Sequence, residues 1–132
     1  MTRFIISVVV LFVVAMLLGF AIHATLLGAD YAALPSLMRP AAEAEQYMGY
    51  MIAAHVLIAI GFTWIYVRGK ENRPWLGQGI RFGLAVAVVS TIPMYLIYHA
   101  VSPFPLDLVV KQIVYDTIGV VVMGIVVAAI NR

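Results

Sequence analysis

The sequence predicts an all-α fold: an integral-membrane four-helix bundle, up-down-up-down, with a short interfacial helix between spans one and two. Three observations carry this. Of 132 residues, 64% are hydrophobic and only 11% are charged, whereas a water-soluble domain carries about 25% charged residues. The mean hydropathy is +1.05, so the chain needs lipid as its solvent. The apolar residues also fall into four long segments, divided by stretches rich in proline, glycine and charge.

Each segment can be justified in order. The first, Phe4–Ala24, follows a basic start, and its apolar run exceeds the ~7–15 residues of a signal-peptide core. It is read as a retained span. The stretch 25–49 is long for a bundle connection. Residues 29–38 suit a short helix lying at the interface. Pro40, followed by Ala-Ala-Glu-Ala-Glu, marks a helix start with acids in its first turn. Span two then covers Tyr50–Val67. The polar RGKENRPWLGQG, 68–79, holds Pro74 and three glycines and reads as a loop. Span three covers Phe82–His99. Pro93, after Ser90 and Thr91, predicts a kink near Val89–Thr91. SPFPLD, 102–107, is a tight turn, and span four covers Leu108–Ile130. Together the spans form one transmembrane domain over 1–132.

Orientation follows from the basic residues. Arg3, Arg68, Lys70, Arg73, Arg81 and Arg132 fall on one side, and only Arg39 and Lys111 on the other. Both termini and the 68–81 loop are therefore expected to be cytoplasmic. The outer side is acidic, with Asp30, Glu43, Glu45, Asp107 and Asp116.

In lipid, helices are held by close contacts between small residues and by buried polar bonds. Span three offers Gly79, Gly83 and Ala87 at four-residue spacing. Span one offers Ala15 and Gly19, span two Gly49 and Ala53, and span four Gly124 and Ala128.

Several chemistries are excluded by composition. There is no cysteine, which removes disulfides, thiolate nucleophiles, Cys-ligated zinc and iron–sulfur clusters. No basic run is long enough to bind nucleic acid. No Ser/His/Asp signature, phosphate loop or His-Glu metal motif is present, so an enzyme is the less favoured class.

What remains is a polar cluster. The topology puts all three histidines, His23, His55 and His99, in the outer half. Tyr47, Tyr50, Tyr95, Tyr98, Tyr115, Lys111, Gln112 and Asp116 share it. An ionisable group inside a span costs about 2.5–3.5 kcal/mol on insertion scales, so Asp116 needs a partner. His55, roughly 8 Å down span two, lies near the depth of Asp116, roughly 12 Å down span four. A His55–Asp116 contact is the sharpest expectation. Three roles fit the cluster. It can be structural, a buried polar bond that fixes helix register. It can be a ligand site formed by His23, His55, Tyr95, Tyr98, His99, Tyr115 and Asp116. In that case His23 and His99, on diagonal helices, offer an axial pair for a b-type haem or part of a metal site. Or it can handle protons or a small solute, with a homo-oligomer supplying enough spans for transport. The similar endings AIHA and IYHA hint at a two-fold pseudo-repeat, in which His55 on span two answers Asp116 on span four.

The layout resembles small four-span bacterial inner-membrane proteins of uncharacterised families. LGFAIHATLLG at the end of span one, WLGQGIRFG leading into span three and KQIVYDTIGVVVMGIV in span four carry the resemblance. It implies an architecture and no activity. The reading is a multi-pass protein of the bacterial inner membrane that acts as a binding or accessory component. Its partners are the lipid bilayer and either further copies of itself or other membrane subunits.

Overall fold

The computed structural model describes residues 1–132, apart from the side chain of Ala41. Four helices are long and apolar enough to cross a membrane: Thr2–Leu26, Ala42–Gly69, Trp75–Val101 and Leu106–Ile130. They are called spans one to four below and form an all-α, up-down-up-down bundle. Span four packs most extensively on span three, and span one touches both span two and span four.

The chain termini lie together at one end. Arg3 donates to the Arg132 carbonyl at 2.5 Å, and Lys70 donates to the Asn131 carbonyl at 3.0 Å. The buried Asn131 amide donates to Ser7 Oγ and to the Val127 carbonyl, both at 2.8 Å. The main apolar core sits in this half, built from Leu11, Ala15, Ala59, Phe62, Met123 and Val127. Spans two and three meet here through aromatic edges. Phe82 stands 4.7 Å from Phe62 and 5.3 Å from Tyr66, centroid to centroid, a favourable T-shaped arrangement.

Spans three and four owe their intimacy to glycine. A Cβ placed on Gly79 would lie 2.6 Å from the Gly124 carbonyl oxygen, and one on Gly83 would lie 2.6 Å from Val121 Cα. Backbone therefore touches backbone, the geometry that small-xxx-small sequences permit in lipid. This corrects the expected loop at 68–79. The helix already begins at Trp75, after Pro74. Gly79 is a packing residue within the helix, as its four-residue spacing with Gly83 and Ala87 predicts. The Gly49–Ala53 pair behaves differently: Gly49 has nothing within 4 Å of its Cβ position, and Ala53 is exposed.

Two π-helical turns interrupt the spans. One, Ala87–Thr91, lies where Pro93 removes a backbone donor, and Ser90 Oγ takes up the Val86 carbonyl at 2.7 Å. The other, Phe20–Leu26, ends span one, with Leu27 N–H reaching the Ile22 carbonyl at 2.9 Å. A π turn inserts a residue and re-aims the side chains around it, and such turns recur at functional sites.

At the far end, opposite the termini, Tyr50 of span two is 76% exposed. The short helix between spans one and two is present, at Gly28–Ala32. It folds back on the end of the bundle as a cap. Leu27 is fully buried against Ile22 and Leu108, with Tyr31, Leu34, Phe104 and Tyr115 packed around them.

Candidate functional site

The cap and the π turn together build a polar network. His23, inside the π turn, places Nδ1 2.8 Å from the Tyr31 hydroxyl and Nε2 3.3 Å from Asp116 Oδ1. Tyr95 donates its hydroxyl proton to Asp116 Oδ2. Gln112, buried on span four, donates to the Tyr31 oxygen at 3.0 Å. A carboxylate midway along span four is thus held by one residue from span one and one from span three, and the cap closes the set.

The donor directions follow from this arrangement. The Tyr31 oxygen accepts from Gln112, which leaves its own proton to donate to His23 Nδ1. In that arrangement a neutral imidazole carries its single proton on Nε2, facing Asp116. Burial pushes the Tyr31 phenol above its usual range, so it stays a neutral donor. The tyrosine and histidine rings stack at 6.0 Å.

Beside the network lies a cavity of about 180 Å³, lined by Tyr31, Tyr95, Tyr98, Gln112, Met38 and Phe104. Three hydroxyls and a carboxamide stand in otherwise apolar walls. Such a space suits a small molecule with an apolar body and one or two hydrogen-bonding groups.

The cap is also clamped by charge: Lys111 Nζ sits 2.7 Å from Asp30 Oδ1. Lys111→Gln is expected to loosen this clamp. The amides of residues 29–34 should then exchange with deuterium faster, while exchange across spans three and four stays unchanged.

The expected His55–Asp116 contact is not made. His55 Nδ1 bonds the carbonyl of Met51 on its own helix at 2.7 Å, and its Nε2 faces Gly19 of span one. Depth along two helices was matched, but spans two and four barely touch. Asp116 looks instead toward spans one and three. Of the other sequence candidates, Tyr95 and Asp116 join His23 in the network and Tyr98 lines the cavity. Tyr115 packs in the apolar cap. His99 stands apart and closes the 102–105 turn through Nδ1 and the Phe104 carbonyl at 2.8 Å.

This bears on the haem or metal pairing of His23 and His99. Both ring nitrogens of His23 are already engaged, so ligation would require displacing Tyr31 or Asp116. No group of three or more His, Asp or Glu side chains among the described residues is placed to hold a metal ion. The residues do not fit an axial pair in this arrangement.

Sequence reasoning overlooked Tyr31. The only signal available was its place beside Asp30 in a short amphipathic stretch that follows a span end.

Fold and site together define a class: a helical bundle with four helices able to cross a membrane and a histidine–carboxylate–tyrosine centre near the end away from its termini. The chain belongs to the family described as Protein of unknown function (DUF1761), whose model matches residues 6–128. No curated protein and no solved structure matches it.

Proposed function

We propose that the protein is a binding component of a bacterial inner membrane, and that its working site is the network of His23, Tyr31, Tyr95, Gln112 and Asp116 with the adjoining cavity. The ligand is a small molecule with an apolar body and a hydrogen-bonding group. One observation carries this: Asp116 is kept inside a span by partners from two other spans, beside a cavity. Holding a carboxylate there costs about 2.5–3.5 kcal/mol on insertion scales. Helix register alone could be fixed by small-residue contacts, which this bundle already has.

Both termini face the cytoplasm in this reading, because six of the eight basic residues gather at their end. The site then opens toward the outer side. A fluorescent protein fused after Arg132 should light up in cells, and a dark but expressed fusion would reverse the orientation. The protein works as a homo-oligomer or beside other membrane subunits. The bare Gly49–Ala53 face of span two supports an association of this kind.

A specific observation also favours a second reading, proton-linked solute handling. Gln112, Tyr31 and His23 are joined by hydrogen bonds, as are Tyr95 and Asp116, and the His23–Asp116 contact at 3.3 Å links the two sets. A proton added at His23 Nδ1 would force the Tyr31 hydroxyl to turn, so the network has two proton arrangements.

Native mass spectrometry of protein extracted with its own lipids tests the binding reading and gives the assembly mass in the same spectrum. A small molecule retained by the wild type and lost from Asp116→Asn is expected. An empty wild type, or identical retention in both, would contradict the binding reading.

A further inference from the structure

The end carrying the termini holds a second, unrelated feature. Between spans two and three lies a groove of about 370 Å³, walled by Ile65, Tyr66, Gly69 and Phe82 and bordered by Glu71, Arg73, Gln78 and Arg81. The polar groups around it are not equivalent. Arg73 is neutralised by Glu71, with Nε 2.6 Å from Oε2. Gln78 is fully engaged with the loop: it donates to the Glu71 carbonyl at 2.7 Å and the Arg73 carbonyl at 3.2 Å, and it accepts from Glu71 N–H at 2.8 Å. Arg81 differs, because among the described residues it has no hydrogen bond and no ion pair.

Its position makes this consequential. Arg81 lies six residues beyond Trp75, where span three begins, roughly 9 Å along the helix axis. A guanidinium does not lose its proton, so a charge at that depth must reach back to water or meet an anion. The one carboxylate lining the groove, Glu71, does not pair with it. Glu71, the one acid at this end of the chain, is taken by Arg73. The end is otherwise basic, with Arg3, Arg68, Lys70 and Arg132. Arg68 and Arg132 each lie 5.8 Å from the ring of a tryptophan, Trp64 and Trp75, the residue type that settles at the headgroup boundary.

We propose that the groove binds the phosphate of an anionic phospholipid, with Arg81 as its principal ligand and an acyl chain lying along Ile65 and Phe82. The arginine fork matches two phosphate oxygens, and basic pockets between membrane helices take acidic headgroups in this manner. The apolar wall is what distinguishes a lipid from free phosphate, which would gain nothing from Ile65 or Phe82. This site is independent of the network at the far end.

The test uses the full chain in neutral detergent, titrated with phosphatidylglycerol or phosphatidylcholine, with thermal stabilisation and native mass spectrometry as readouts. Phosphatidylglycerol should bind in preference to phosphatidylcholine. Arg81→Gln should weaken it about fivefold, the worth of one basic group near an anionic headgroup. Arg3→Gln removes the same charge from the same end but outside the groove, and it should leave binding near the wild-type value. Glu71→Gln releases Arg73 and should strengthen binding, which keeps the test decisive if Arg81→Gln folds poorly. Equal binding of the two lipids would overturn the proposal. So would equal effects of Arg81→Gln and Arg3→Gln, or full stabilisation by millimolar inorganic phosphate alone.

Discussion

Replacing Gly124 with valine is expected to force spans three and four apart and to cost the bundle about 3 kcal/mol, the upper end of what overpacking a tight contact costs. A side chain there has nowhere to go. Its Cβ would meet the Gly79 carbonyl oxygen and would lie 3.0 Å from Gly83 N and 3.1 Å from Gly83 Cα. These are backbone atoms, so no rotamer change relieves the clash. Spans three and four would have to separate, and with them Tyr95 from Asp116. Reversible unfolding in detergent, followed by helicity and by a cross-link between the two spans, gives the measurement. Gly49→Val is the matched control. Its Cβ meets nothing within 4 Å, and its stability as a single chain should match the wild type. Equal effects of the two valines would mean that the glycine contact does not hold the bundle.

Asp116→Asn is expected to abolish ligand retention while the bundle stays folded. The asparagine carbonyl can still accept from Tyr95. Its NH2 would then face the Nε2–H of His23, and two donors would point at each other. Asp116 does not itself line the cavity; it fixes the cavity hydroxyl of Tyr95 by a charged bond worth about 1.5–3 kcal/mol, and a ligand that relies on that fixed hydroxyl loses roughly tenfold to hundredfold in affinity. Stability should change far less. The variant also removes a charge that costs about 2.5–3.5 kcal/mol to keep in a span, and the two effects oppose each other. A purely structural bond predicts the reverse pattern: a clear loss of stability and no change in anything bound.

The fold was legible because span number depends on a one-dimensional pattern. Four apolar runs, each closed by charge or proline, place four helices without knowledge of their neighbours. The start of span three at Trp75 was obscured because a polar stretch with Pro74 and glycines looks the same in a loop and in the first turns of a helix, although Gly79 already fitted the stripe with Gly83 and Ala87. Only the facing Gly124 on span four separates the two cases. The site was legible in part. Asp116 stood out from the cost of its burial, and Tyr95 from its depth. Its histidine partner was misassigned because depth fixes height along a helix but not the direction in which a side chain faces. The π turn at Phe20–Leu26 adds a residue to span one and aims His23 inward. No local sequence signal marks that extra residue. Tyr31 arrives from outside the spans altogether, on a cap whose return over the bundle is a tertiary event secured by Leu27 and by the Lys111–Asp30 pair.

The site depends on His23, rather than His55, being the partner of Asp116. With three histidines in the chain, a nitrogen-15 spectrum of histidine-labelled protein in a bilayer resolves each ring. His23 is expected to carry its proton on Nε2, and Asp116→Asn to shift the His23 nitrogens while those of His55 and His99 stay in place. A shift at His55 with His23 unmoved would contradict that pairing.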